Sequence, residues 1–109
     1  MTTLSLETRE EGEQVRIAVG GELDLSSALT FDEEIRRAES RKPRTLVIDL
    51  SRLKFLDSTG LRLIMSAHLR ARKRGHRLAI VEGTHAVQRI FRLAGVHRRL
   101  DIVPEVPAA

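Results

Sequence analysis

Two adjacent hydroxyl residues, Ser58 and Thr59, are the part of this sequence best placed for chemistry. They lie in the segment Phe55-Leu56-Asp57-Ser58-Thr59-Gly60-Leu61, between an apolar run and an amphipathic stretch. The first amides of a helix lack intrahelical partners and the helix dipole is positive there, so a phosphoryl group is favoured at such a position. Gly60 predicts room beside the hydroxyls for another protein's active site. Physical chemistry alone favours a simpler interpretation, a helix cap with no further function.

Other residue types that commonly do chemistry form no recognisable site. The four histidines of the chain are His68, His76, His85 and His97. Their separations of eight, nine and twelve residues match no ordinary zinc site. There is no G-x-S-x-G nucleophile elbow, P-loop or G-x-G-x-x-G fingerprint, and Ser51 with Lys54 fits S-x-x-K without the companion motifs. The sequence therefore predicts no metal, no cofactor and no enzymatic activity.

The charge balance of the chain is basic, which raises the question of nucleic acid. The 109 residues carry 19 Lys and Arg against 15 Asp and Glu, and the sequence pI is near 10.6. Three Phe and no Tyr or Trp leave bases almost no aromatic surface to stack on. Most cations lie near predicted helix ends, where they stabilise the helix dipole. We therefore expect no direct binding of nucleic acid.

Cysteine content and hydropathy indicate a compartment. The chain has no cysteine, which fits a reducing interior. No stretch approaches the roughly 20 apolar residues that a membrane helix needs. Residues 1–20 alternate charged and apolar side chains and do not form a signal sequence. The expectation is a cytoplasmic protein without a membrane span.

Regular elements on both sides of Ser58 determine how it is held. Apolar residues alternate with polar ones around a turn at Glu11 and Gly12, which predicts a β-hairpin. The alternating residues are Leu4, Leu6, Val15, Ile17 and Val19. Ser26 or Ser27 can cap a following helix, which should end before Pro43 because the residue preceding proline avoids the helical region. A short apolar run over residues 46–50 then predicts a central strand covered on both faces.

A second helix is predicted to begin near Ser58 and to end at Gly75, which can adopt a left-handed cap. His68 falls on its inward face and is expected to be a partly buried histidine and not a ligand. The inward residues are Leu61, Ile64, Met65, His68, Leu69 and Ala71. A strand over residues 78–81 follows, Thr84 caps a third helix that stops at Gly95, and residues 100–103 add an edge strand.

This order of elements predicts an α/β fold with a mixed sheet of four to five strands and flanking helices. The length indicates one domain over residues 1–109, with its core at about residues 3–103. The Pro/Ala tail at residues 104–109 is too short and too rich in proline to form a helix of its own.

The segment Phe55-Leu56-Asp57-Ser58-Thr59-Gly60-Leu61 closely resembles the signature of STAS-domain anti-sigma-factor antagonists. Gly21-Glu22-Leu23-Asp24 resembles the conserved segment after the second strand of that family, and residues 74–81 and 91–100 follow its later pattern. The similarity covers roughly residues 14–103 in the order that the family fold requires. By this resemblance the chain is identified as a single STAS domain.

The resemblance implies a partner switch. The unphosphorylated protein would bind an anti-sigma factor that is also an ATP-dependent serine kinase and thereby release sigma, and phosphorylation would end that binding. Ser58 would be the phosphoacceptor, with Thr59 as the alternative, and a PP2C-type phosphatase would restore the active form. The implied partner-binding residues are Asp24, Asp57, Ser58, Thr59, Gly60 and Leu61. The protein would be a substrate and a ligand, as a monomer or weak dimer.

Two other classes of function stay open. A scaffold or accessory protein, such as a stressosome component or the soluble STAS subunit of a lipid-transport system, would bind its partner without reversible phosphorylation. A nucleotide-binding or nucleic-acid-binding function is the third class, and binding of nucleic acid would weaken steeply with added salt.

Overall fold

The computed structural model describes residues 3–109, which form five strands and three helices. The elements are β1 (Leu4–Glu11), β2 (Gln14–Leu23), α1 (Ala28–Ser40), β3 (Thr45–Leu56), α2 (Ser58–Arg74), β4 (Arg77–Val81), α3 (His85–Leu93) and β5 (Asp101–Val103). The strands lie in the sheet in the same order as in the chain. β1 is antiparallel to β2 and every later pair is parallel. The predicted α/β fold with a mixed sheet is confirmed, and the sheet has five strands.

The three helices lie on one face of this sheet. Each helix connects two neighbouring parallel strands, and the chain always moves across the sheet in the same direction. Since such crossovers are right-handed, all three helices are placed on the same side. Phe31 of α1, Ile64 of α2 and Phe91 of α3 are fully buried against Ile17 and Ile48 of the strands. This layer forms the main hydrophobic core.

Local signals set the helix ends as predicted. α1 ends at Ser40, before Pro43, and Gly75 closes α2 with a φ of 83°, in the left-handed region. Thr84 Oγ1 accepts a hydrogen bond from the backbone N–H of Val87 at 3.3 Å, so Thr84 caps α3. None of the helices formed by residues 3–109 is long and apolar enough to cross a membrane.

Two details of packing differ from the prediction. The central strand continues past Leu50 to Leu56, because β3 stays paired with β2 through two register shifts as far as Leu23. Leu69 was predicted to point inward, and this is wrong, since 56% of it is exposed. The small side chains of Ala67 and Ala71 occupy the stripe of α2 that faces the sheet.

The other face of the sheet, which we call the open face, carries no helix from residues 3–109. Val47, Ala79 and Val81 form a small apolar cluster there, and Val103 and Val106 pack on it. The side-chain N–H of Gln14 donates a hydrogen bond to the carbonyl of Pro107 at 3.1 Å. The tail therefore crosses the open face from β5 towards β2 and substitutes for a covering helix over part of it.

Candidate functional site

The start of α2 is fixed by the side chain of Asp57. Its backbone is extended, with φ −103° and ψ −177°, and its Oδ1 accepts hydrogen bonds from the N–H groups of Thr59 at 3.0 Å and Gly60 at 3.1 Å. This is the usual geometry of an N-cap carboxylate, which is also favoured by the helix dipole. The cap role that sequence reasoning left open among Asp57, Ser58 and Thr59 therefore belongs to Asp57.

Because Asp57 caps the helix, the side chain of Ser58 is not needed for the cap. Ser58 is the first residue of α2 and is exposed, and within residues 3–109 its hydroxyl has no hydrogen-bond partner. Thr59 is half-buried, so its hydroxyl is less accessible than that of Ser58. The structure thus presents an exposed hydroxyl at a helix start that is capped by Asp57.

Gly60 and Leu61 form the underside of the same turn. Leu61 is 8% exposed and belongs to the core. Gly60 is buried, and a Cβ there would lie 2.6 Å from Leu56 Cδ1 and 2.7 Å from Leu23 Cγ. The sequence predicts that Gly60 gives another protein access to the hydroxyls. In the structure, close packing against Leu56 and Leu23 explains why a glycine stands at this position. The absent side chain lets the first turn of α2 approach the ends of β2 and β3.

Asp24 shapes the loop between β2 and α1. Its Oδ1 accepts hydrogen bonds from the backbone N–H of Ser26 at 2.9 Å and from the Ser26 hydroxyl at 2.6 Å. Ser27 stands at the N-cap position of α1 without making a side-chain cap bond, and its hydroxyl donates to the carbonyl of Glu22 at 3.1 Å. Asp24 is therefore a turn-forming acid that holds the exposed Ser26.

Two hydrogen bonds join the Asp24 loop to the start of α2. The N–H of Leu25 donates to Asp57 Oδ2 at 3.2 Å, and the N–H of Asp57 donates to the carbonyl of Leu23 at 3.2 Å. Asp57 thus uses one carboxylate oxygen for its own helix and the other for the neighbouring loop. The structure places the Asp24 loop next to Asp57, Ser58 and Thr59, the residues that the family resemblance implies for partner binding.

Three residues at or near this site were not among the predicted contacts. Leu25 and Leu29 are 76% and 70% exposed, and Phe55, at the end of β3, is 47% exposed. Apolar side chains of this size are more often buried than exposed. Their types and their closeness in sequence to Asp24 and Asp57 were the available signal. We call Leu25, Leu29 and Phe55 the apolar rim.

The four histidines lie in separate parts of the fold. Within residues 3–109, no group of three or more His, Asp or Glu side chains is placed to hold a metal ion. His68 is half-buried, as predicted. Burial lowers the pKa of His68, and the positive charges of Arg72 and Arg99 lower it further. His68 is therefore held towards its neutral form without any sign of a ligand role.

A depression of about 360 Å³ lies on the open face, and Ser58 is not among the residues that line it. Two ion pairs line it: Arg9 with Glu7 at 2.8 Å and Arg16 with Asp49 at 2.7 Å. Asp49 is buried, and its Oδ1 accepts the N–H of Ser51 at 3.0 Å. Burial acts to raise the pKa of Asp49, but the hydrogen bonds from Ser51 and Arg16 outweigh it and hold the pKa below its usual value. The carboxylates here are satisfied within the chain.

Comparison with protein-family models gives a match over residues 6–104, to the family described as "Mlab, STAS domain". The anti-sigma-F factor antagonist RsfB of Mycobacterium tuberculosis is 42% identical over 48 residues, which are 44% of this chain and 39% of RsfB. The chain thus matches less than half the length of RsfB. The anti-sigma-B factor antagonist of Listeria monocytogenes is 27% identical over 100 residues, which are 91% of this chain and 88% of that protein.

Solved structures share the same arrangement of strands and helices. An anti-sigma factor antagonist from Mycobacterium paratuberculosis superposes with a TM-score of 0.88 at 24% identity, covering 95% of this chain and 88% of that one. The unphosphorylated form of the anti-sigma factor antagonist SpoIIAA gives 0.76 at 23% identity, covering 94% and 90%. The phosphorylated form of Bacillus SpoIIAA gives 0.69 at 22%, covering 94% and 93%. These likenesses establish the fold.

Proposed function

The chain belongs to the STAS-domain family, and from this premise we propose that it is an anti-sigma factor antagonist that works by partner switching. In this proposal the unphosphorylated form binds an anti-sigma factor that is also a serine kinase, so that sigma is released. The γ-phosphoryl group of ATP is then transferred to Ser58 Oγ, the hydroxyl proton is lost, ADP leaves, and binding ends. A PP2C-type phosphatase hydrolyses the phosphoester and restores the active form.

The observation that carries this proposal is the exposed, unpartnered hydroxyl of Ser58 on a backbone fixed by Asp57. A kinase needs a hydroxyl that it can reach, and Ser58 meets this requirement better than the half-buried Thr59. Since Asp57 caps the helix, a phosphoryl group on Ser58 removes no hydrogen bond from the fold. The modification therefore acts on binding and leaves the helix intact.

Relatives named as anti-sigma factor antagonists, one of them matching along 91% of the chain, support this general role. SpoIIAA, whose fold the chain shares, is known in an unphosphorylated and a phosphorylated form. Such proteins act by binding, and the chain is accordingly a binding protein and not an enzyme. The Asp24 loop, whose exposed Leu25 donates its backbone N–H to Asp57, gives it a contact surface close to Ser58.

The charge of a phosphoryl group is large enough to operate such a switch. Phosphoserine adds about 1.5 to 2 negative charges at neutral pH. Against one acidic group of a partner at contact distance, each unit of charge costs on the order of a few kcal/mol at a surface-like dielectric. Since about 1.4 kcal/mol changes affinity tenfold, one such contact is sufficient to release the partner.

One observation favours a second candidate. The family model that matches the chain is described by the name Mlab and not as an antagonist. A scaffold or accessory STAS protein, for example a subunit of a lipid-transport system or a stressosome, would use the same surface to bind its partner permanently. In that case residue 58 would need no reversible modification.

Affinity purification from native lysate with three baits distinguishes the two. Wild type and Ser58→Ala should retain a serine-kinase-like ATPase, and Ser58→Asp should retain much less, although the single charge of Asp makes its effect partial. Mass spectrometry should find phosphate on Ser58 of the wild-type bait. Thr59→Ala and Thr59→Asp are the matched controls, and they should bind like wild type.

Equal recovery of the kinase by Ser58→Ala and Ser58→Asp would contradict the switch. Phosphate on Thr59 together with loss of binding by Thr59→Asp would move the switch by one residue. Recovery of transporter subunits or of a large STAS assembly, whatever residue stands at position 58, would establish the accessory role.

A further inference from the structure

The structure raises the question of what neutralises a phosphoryl group on Ser58. The N–H groups of Thr59 and Gly60, which a helix start would offer to an anion, already donate to Asp57 Oδ1. The N–H of Leu61 donates to the carbonyl of Asp57 at 3.1 Å. Of the first-turn amides, only that of Ser58 itself makes no hydrogen bond within residues 3–109, and those of Thr59 and Gly60 donate to a carboxylate of the same sign as a phosphoryl group. A nearby side-chain cation is therefore the further group that can balance the charge of the phosphate.

Arg62 is placed for this task. It lies four residues after Ser58 and three after Thr59 on α2, and side chains at both spacings are neighbours on a helix surface. Arg62 is exposed, and among residues 3–109 it makes no ion pair and no side-chain hydrogen bond. An anion placed N-terminal to a cation at this spacing is the more favourable orientation. The guanidinium is thus free and within reach of a phosphate on either hydroxyl.

Nothing else on α2 competes for Arg62. The helix contains no Asp or Glu between Ser58 and Arg74. The two other arginines of α2 that form ion pairs, Arg70 and Arg74, both reach Glu39 of α1, at 2.9 and 3.6 Å. Those pairs lie at the opposite end of the helix. Arg62 is therefore the cation of α2 that is next to the hydroxyls and has no other anion on its own helix.

We propose that Arg62 is the intramolecular counter-ion of phosphoserine 58, holding the phosphoryl group against the first turn of α2. Two donors of the planar guanidinium can pair with two phosphate oxygens, a geometry that lysine does not match. The pair makes the doubly charged phosphate more stable than it would be at the same helix start without Arg62. This inference deepens the proposed function and rests on it for its biological role.

The test places phosphoserine at residue 58 during synthesis, by genetic encoding, so that no kinase is needed. Phosphorus NMR at low salt then follows the second ionisation of the phosphate in wild type and Arg62→Gln. The measured pKa should be lower in wild type by about 0.2 to 0.4 unit, the shift that an exposed pair at this spacing produces. The difference should shrink as salt is added, because the pair is exposed.

Two further variants sharpen the result. Arg62→Lys should retain part of the shift. Arg72→Gln removes an exposed cation that has no ion-pair partner among residues 3–109 and lies ten residues further along the same helix, and it should titrate like wild type. Circular dichroism of each variant confirms that it is folded, as expected for surface positions.

A titration of Arg62→Gln that coincides with wild type would overturn the proposal. So would an equal shift in Arg72→Gln, which would assign the effect to the positive charge of the whole chain. Because the phosphate is encoded, the outcome is separate from the proposed function. A clear Arg62 effect in a protein that is never phosphorylated in the cell would refute the switch and leave the ion pair standing.

Discussion

The Ser58 region and the depression on the open face use carboxylates in opposite ways. At Ser58, both carboxylate oxygens of Asp57 accept hydrogen bonds from backbone N–H groups, and the Ser58 hydroxyl and Arg62 have no partner among residues 3–109. On the open face, Asp49 is 4% exposed and faces Arg16. The acidic groups that line the depression are therefore already paired with arginines.

This contrast teaches where to look for function in a small binding protein. A concave pocket is a good first guess for a small-molecule site. The proposed switch instead requires an accessible group on a rigid backbone, and Ser58, which is exposed at the start of α2, lies outside the depression. Four predictions test whether the two regions differ in this way.

The largest expected effect is at the underside of the Ser58 turn. Gly60→Val should lower the free energy of unfolding by about 3 kcal/mol, because its side chain would overlap Leu23 and Leu56, which are fully buried. Urea unfolding measures this loss. Ser58→Ala, two residues away and exposed, is the control and should stay within about 0.5 kcal/mol of wild type. A stable Gly60→Val variant would show that the turn is adaptable and that Gly60 has another role.

On the open face, Arg16→Ala should cost about 2 kcal/mol, because it leaves the carboxylate of Asp49 buried with only Ser51 as a donor. Asp49→Asn should cost less, since the exposed part of Arg16 can turn to water. The variant that carries both changes should lose less free energy of unfolding than the two single variants lose together. A double-mutant cycle followed by thermal denaturation measures this coupling energy. Additive losses would mean that Arg16 and Asp49 contribute to stability independently.

Asp57→Ala should cost about 1 to 2 kcal/mol, because it removes two helix-cap bonds and the link to Leu25. Thr84→Ala removes one cap bond at the start of α3 and is the matched control, with an expected loss of about 1 kcal/mol or less. Chemical denaturation gives both values. If Asp57→Ala costs no more than Thr84→Ala, the link between the two loops contributes nothing.

The smallest expected effect is on pH dependence. Burial lowers the pKa of His68 and of His76, so the unfolded chain binds more protons and stability falls as the pH drops below their ordinary value of 6.5. The lowered pKa of Asp49 gives a second loss, present only as the pH falls below 3.8. Urea midpoints across both windows should show the first step reduced in His68→Gln and the second reduced in Asp49→Asn. One unchanged curve for both variants would mean that other groups control the acid response.

Much of this architecture follows from local sequence signals. The hairpin turn at Gly12, the left-handed Gly75 and the cap at Thr84 each depend on one residue and its neighbours, and all three are where the sequence placed them. The start of α2 at Ser58 is predictable for the same reason. Short-range rules are sufficient when the interaction that fixes the element lies within a few residues.

The features that sequence reasoning missed depend on residues distant in the chain. Asp57 reaches Leu25, and Gly60 faces Leu23, so neither role is visible until β2 and β3 lie side by side. The continuation of β3 to Leu56 likewise requires its partner strand. Ser27 has the right type and position for a cap, but its hydroxyl donates a hydrogen bond to the carbonyl of Glu22 instead. In each case a tertiary partner changed what a local rule would assign.

The order of the strands in the sheet has a consequence for how the chain is made. Each strand after β1 pairs with the strand that precedes it in sequence, so no strand has to wait for one synthesised much later. The parallel pairs still join residues distant in sequence, such as Val15 with Leu46 and Leu46 with Leu78, and pairing of this kind forms more slowly than a hairpin. The sheet can grow strand by strand from the hairpin, and the residues of the Ser58 turn are synthesised before those of the last edge strand.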